Sequence, residues 1–394
     1  MKIKAVLRSP DHPEYGEATV PFPIPEEDYE HTMKLLDGLG IGDVLAQDCR
    51  VMELDSPYPI LKRLENSVVN VDELDYLAKR LDSFCESEGH QFQAMAHKLN
   101  LSSIQDFINL TFCCQRATVI TDFSDLEQVG RSHCMNLNGG GMPAEEYAKI
   151  DGRAEALKLI HNEQGTITPY GVVYDNGMEL EPFYDGRRFP PYCYKPPVME
   201  LETVPDGEAE GYFCLPMPDR QFRRMIERAD LDGQNAPLRI VMNELPEKVA
   251  DALDLNGLTT GDLTGLNRLC RTVAPMNAAD RRKLDAVIQT AQPSHIRKIQ
   301  KLADNLELFD YVPDVHTPEE YGRYVIQQSG KFQYDEDLEN FYDYRQYGEK
   351  CIREEDGQFN ACGYVSYHGT LPLEELMREE PAEQYQQRQG MQML

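Results

Sequence analysis

Nine histidines, ten cysteines and 68 acidic residues are the main reactive side chains of this 394-residue chain. Their spacing fits almost no catalytic chemistry. His90 and His97 lie seven apart and would share a helix face, yet the chain has no His-Glu-x-x-His run and no Gly-x-Ser-x-Gly serine to accompany His133. Gly139-Gly140-Gly141 is the one glycine run; no Lys-Ser or Lys-Thr follows to make a phosphate loop, so it reads as a flexible turn. The cysteines form no Cys-x-x-Cys pair and no metal-finger spacing, even at adjacent Cys113-Cys114. They read as free thiols of a reducing cytoplasm. Glu145-Glu146 is a carboxylate pair of the kind acid–base catalysis uses, but with 68 acids such neighbours arise by coincidence. The reading is a non-enzyme, with no catalytic residue, no metal site and no cofactor.

Acidity is the stronger signal. A net charge of −29 repels nucleic acid, anionic lipid and phosphorylated substrates, and favours a basic protein partner. The charge is uneven. Residues 1–180 hold 15 basic and 30 acidic side chains, residues 219–301 hold 14 and 11, and residues 302–394 hold 7 and 20. The last segment sets Asp335, Glu336, Asp337, Glu339, Asp343, Glu349, Glu354, Glu355 and Asp356 among Phe332, Tyr334, Phe341, Tyr342, Tyr344 and Tyr347. A disordered acidic tail lacks such aromatics, so the expectation is a folded surface with carboxylates at fixed spacing. Fixed carboxylates can imitate a phosphate backbone. Duplex DNA carries one charge per ~1.7 Å of axis, so 29 charges match about 50 Å, on the order of 15 base pairs.

The chain that must position these acids repeats itself. Residues 71–180 align with 263–372 at a constant offset of 192, with 19 identities in 110 pairs. Leu74/Leu266, Ile104/Ile296, Gly130-Arg131/Gly322-Arg323, Gly165/Gly357 and Gly171/Gly363 are among them, the glycines marking positive φ or close approach. Weaker traces precede them: Ala18–Pro23 and Phe213–Pro218 read as strands, Tyr29/Met33 and Phe222/Ile226 as helix faces, Arg50–Met52 and Arg239–Val241 as second strands. Leu74, Leu77, Leu81 and Phe84 recur at helical spacing, as do Ile104, Phe107 and Leu110. Ser102/Gln105 and Ser124/Glu127 have capping-box spacing, and Thr317-Pro318-Glu319-Glu320 is a stronger helix start. Each copy ends in a strand and tight turn, Tyr170–Gly177 and Cys362–Gly369, where Asn176-Gly177 signals a hairpin. The class is α+β: a tandem duplication of units with short antiparallel strands, a central helical region and a C-terminal mixed α/β segment. The expected units are 1–180 and 210–372, joined by a proline-rich linker 181–209 and followed by a polar, frayed tail 373–394. Arg282 and Gln289 stand at the repeat positions of His90 and His97, which excludes a shared metal site. No apolar run is long enough to span a membrane, and the charged start Met1–Arg8 argues against export.

Several of these stretches resemble the ArdA antirestriction family. The matching runs are Asp106–Phe112 with Asp122–Arg131 in the first copy, and Leu302–Tyr311 with Tyr321–Val325 in the second. The best is Phe341–Gly348 through to Gly363–Val365. The resemblance implies an elongated α+β body with acids along one side. It also implies a cytoplasmic DNA mimic that binds the DNA-binding groove of the methyltransferase core in a type I restriction–modification complex. The implied phosphate stand-ins are the nine acids from Asp335 to Asp356 named above, joined in the first copy by Asp122, Asp125, Glu127, Glu145 and Glu146. The chain departs from the family by carrying two units in tandem, which implies a monomer acting as a pseudo-dimer, or a homodimer. Ile150 and Gly152 replace the aromatics Tyr342 and Tyr344 in the first copy, and the basic stretch 219–301 interrupts a continuous DNA imitation. The alternative is an acidic scaffold or regulator of a mobile element that binds another basic protein; pull-down partners separate the two readings.

Overall fold

A computed structural model describes residues 3–204, 211–231, 233, 235–331 and 333–378. The chain divides into two compact units, Met1–Lys195 with Pro218–Asp232, and Pro196–Met217 with Gly233–Leu394.

The first unit opens with strand β1 (Ile3–Arg8), whose Ile3, Ala5 and Leu7 are buried in strict alternation, the period of a half-buried strand. It pairs antiparallel with β2 (Glu17–Phe22) and β3 (Cys49–Asp55), and β4 (Val68–Val69) completes a sheet in the order β2-β1-β3-β4. Helix α1 (Tyr29–Gly38) buries Tyr29, Met33 and Leu36 along one stripe. Helices α2 (Val71–Asp82), α3 (Glu86–Lys98) and α4 (Ile104–Leu110) follow. Phe22, Phe92 and Phe107 meet in one core with them. The unit continues with β5 (Thr118–Ile120), α5 (Leu126–Leu137), α6 (Ala144–Tyr147), α7 (Gly152–Asn162), β6 (Thr166–Thr168) and β7 (Gly171–Tyr174), whose strands form a sheet in the order β5-β7-β6.

Two segments join this unit from further along the chain. Residues 181–195 do not act as a free linker. Tyr184 is fully buried, its ring stacks on Phe189 at 5.1 Å, and Phe189 stacks on Tyr76 at 4.5 Å. The Arg80 guanidinium lies 4.2 Å from the Phe112 ring and 4.5 Å from that of Tyr192. Helix α8 (Asp219–Arg228) then brings three arginines to acids and carbonyls. Arg220 reaches both oxygens of Asp37 at 2.6 Å, and buried Arg224 reaches both oxygens of Asp72 at 3.1 Å. Buried Arg228 donates to Val44 O, Asn70 Oδ1 and the Tyr184 hydroxyl. The front of the basic stretch is thus consumed within the fold, because a buried guanidinium needs paired acceptors.

The second unit begins with β8 (Met199–Thr203), inside the stretch expected to be linker, and pairs it with β9 (Gly211–Leu215) and β10 (Leu238–Asn243) in the order β10-β8-β9. Helices α9 (Glu247–Ala252), α10 (Leu263–Val273), α11 (Ala278–Ala291) and α12 (Ile296–Asp304) come next. They lead to β11 (Phe309–Pro313), α13 (Pro318–Gln327), a 3-10 turn Glu336–Phe341, α14 (Tyr344–Glu355), β12 (Gln358–Asn360) and β13 (Gly363–Tyr367). The last sheet has the order β11-β13-β12, the same arrangement as β5-β7-β6, and β12 lies 192 residues after β6. A short helix α15 (Leu373–Leu376) occupies the start of the expected tail; residues 379–394 lie outside the described residues.

Local details differ from expectation by small steps. The α4 cap is Ser103, accepting from Asp106 N at 3.1 Å, and the α5 cap is Asp125, accepting from Gln128 N at 3.0 Å; each lies one residue after the serine expected. Asn176 and Gly177 do take positive φ, 55° and 74°, but close no hairpin. Strand β7 pairs with β5 and β6, while the Asn176 amide is tied to Arg116 O at 2.7 Å, so the turn redirects the chain. Free thiols hold for eight cysteines and not for Cys193 and Cys214.

Candidate anionic surface

The acids after residue 334 are positioned by helices α13 and α14. Thr317 caps α13 in a full capping box with Glu320, as expected, and the backbone N–H of His316 helps to hold the Glu320 carboxyl below its usual range. Asp343 caps α14 by accepting from Gln346 N at 2.9 Å. The two helices approach closely because both carry glycine where they touch. A Cβ added to Gly322 would lie 1.8 Å from Tyr344 O, and one added to Gly348 would lie 1.8 Å from Pro318 O.

Between the helices runs the acidic 3-10 turn. Asp335 caps it through Asp337 N at 3.0 Å. Arg323 bonds Glu339 at 2.9 Å and lies 4.4 Å from the Tyr344 ring centroid. Gln327 donates to the hydroxyls of Tyr334 and Tyr344, and the Tyr342 ring packs 5.9 Å from Tyr334 and 5.8 Å from Tyr344. These ties fix the turn, so Asp335, Glu336, Asp337 and Asp343 are exposed carboxylates on ordered backbone. Phe341, beside them, is 84% exposed.

The remaining acids of this group have different surroundings. Glu349 pairs with Arg345 at 3.1 Å and Glu354 with Lys350 at 3.7 Å, one helical turn away in each case. Glu355 turns inward. It accepts from Tyr321 at 2.5 Å and Tyr364 at 2.9 Å; burial and this carboxylate push both phenols well above their usual range. Asp356 ends α14 in the left-handed conformation at φ 49° and is exposed.

In the first unit, Asp122, Asp125 and Glu127 gather at the start of α5. The Ser124 hydroxyl and N–H hold the Asp122 carboxyl below its usual range. Glu127 accepts from Arg131 at 2.8 Å and from Arg153 N at 3.0 Å, tying α5 to α7. Glu145 and Glu146 are exposed on α6. Gly152, read as a lost aromatic, has a packing role: a Cβ on it would fall 2.0 Å from Glu127 O, and one on Gly130 would fall 1.8 Å from Gly152 O.

One positioning acid escaped the sequence reading. Asp151 is identical to Asp343 at the offset of 192. Asp151 caps α7 through Ala154 N at 3.0 Å, the role Asp343 has on α14. That identity was a signal that could have found it. Among the described residues no cluster of His, Cys, Asp and Glu has the arrangement of a metal site, and no helix is long and apolar enough to cross a membrane. Compared with known proteins, the chain matches no family model and no curated sequence.

Proposed function

We propose that the chain acts without catalysis, in the cytoplasm, as a stand-in for duplex DNA that occupies the DNA-binding groove of a type I restriction–modification complex. The observation that carries this reading is the acidic turn 335–343, whose carboxylates are exposed while capping bonds, Arg323 and three tyrosines with tilted, packed rings hold their backbone. A phosphate rail is a row of anions at set spacing, and rigid carboxylates meet that requirement without the ordering cost of a flexible tail. Glu145, Glu146 and Asp122 add exposed acids in the first unit.

The test is plating of unmodified phage on a restricting host, with and without the gene. The wild-type chain should raise plating efficiency. The combined variant Asp335→Asn, Glu336→Gln, Asp337→Asn, Glu339→Gln should lose that effect while its thermal unfolding stays close to wild type, since asparagine still caps. Full protection by the folded variant removes this surface from the mechanism.

A further inference from the structure

The second unit contains a cleft of about 390 Å³ at the C-terminal end of α14, lined by Thr290, Phe309, Asp356, Val365, Tyr367 and Thr370 among others. We propose that it receives one arginine side chain of the basic partner protein, an assignment that rests on the DNA-mimic reading of the same unit. Three features select a guanidinium. The Asp356 carboxylate is exposed and has no ion-pair partner among the described residues. The Tyr367 hydroxyl is enclosed and has no hydrogen-bond partner among the described residues, so a side-chain adjustment toward the cleft would present an acceptor. The half-buried Tyr367 ring, held 5.0 Å from buried Phe309, supplies aromatic surface on which a planar cation stacks.

The first unit shows what the same place holds when it is closed. Positions 98 and 175 correspond, at the offset of 192, to 290 and 367. There Lys98 forms an ion pair with Asp175 between α3 and the turn after β7, so that unit carries its own cation. In the second unit threonine and tyrosine stand at those positions, and an acid appears instead at 356, where the first copy has Gln164. A site that one copy fills with an internal ammonium is left open and anionic in the other. An incoming guanidinium would bond Asp356 and the Tyr367 hydroxyl together, a charge-assisted arrangement.

The probe is N-acetyl-arginine amide, titrated into the full chain with methyl NMR on Thr290, Val365, Leu371 and Leu373. Saturable shifts confined to these methyls are expected, with N-acetyl-citrulline amide, the neutral isostere, binding at least about tenfold more weakly. Asp356→Asn should weaken the arginine response about tenfold, and Asn suits the left-handed position so the fold is kept. Asp310→Asn, an exposed acid outside the cleft, should change nothing. No saturable shift, or equal binding of arginine and citrulline, overturns the pocket. The titration uses no restriction enzyme, so its failure is distinct from failure of the plating test: the first removes the cleft, the second removes the mimic.

Discussion

Gly322 and Gly348 sit face to face across α13 and α14, each with the other's helix backbone where its Cβ would be. Helices this close leave no room for even a methyl group. Gly322→Ala should therefore destabilise the second unit by about 3 kcal/mol or more, at the upper end of overpacking effects. Gly130→Ala should act similarly in the first unit, while Gly141→Ala, whose Cβ meets nothing within 4 Å, should be close to neutral. Urea unfolding of the three variants checks the order.

Arg224 is 6% exposed and satisfies Asp72 together with the carbonyls of Gly42 and Asp43. Removing one partner of a buried pair leaves the other charge stranded, so Arg224→Ala should cost about 3–5 kcal/mol. The double change Arg224→Met, Asp72→Leu should recover much of that loss. A double-mutant cycle by chemical unfolding measures it.

Tyr184 is the anchor of the segment after β7, with its hydroxyl on Glu73 at 3.0 Å and its backbone N–H on Asn109 at 2.6 Å. Tyr184→Ala should cost about 3–5 kcal/mol and should expose Arg187 and Arg188 to trypsin in the full chain. Cleavage at those arginines with equal ease in wild type would contradict the packed arrangement.

His133 is 7% exposed, with its Nδ1 3.0 Å from Thr118 Oγ1, and burial lowers its pKa from the usual value. Folding therefore favours the neutral ring. Its contribution is fully present above the unfolded value of about 6.5 and is lost as pH falls from there towards the lower folded value. The melting temperature should drop over that window, and His133→Gln should flatten the slope.

Much of this architecture was legible in the residues. The apolar periods at Leu74, Leu77 and Leu81 and at Ile104, Phe107 and Leu110 announce helices because burial of one stripe dictates spacing. The offset of 192 placed α10 to α12 opposite α2 to α4 without any knowledge of contacts. Caps slipped by one residue where two candidates stood side by side, Ser102 with Ser103 and Ser124 with Asp125, since a cap is decided by backbone geometry. The Ile-Lys-Ala-Val-Leu-Arg alternation of β1 speaks for a strand as well as against export, and the prolines before β8 hide that strand. The surroundings of the acids were the least legible. Nothing near Glu355 in sequence foretells that Tyr321 and Tyr364 enclose it, and nothing near Asp72 foretells Arg224.

Helix α8 has an electrical consequence. By delivering Arg220 and Arg224 to Asp37 and Asp72, it quenches the potential there before any visitor arrives. A formal tally of ionisable residues thus overstates the pull this part of the molecule can exert at a distance. An approaching cationic protein would be steered by the uncompensated oxygens, and the strongest attraction need not lie where the acidic letters are densest.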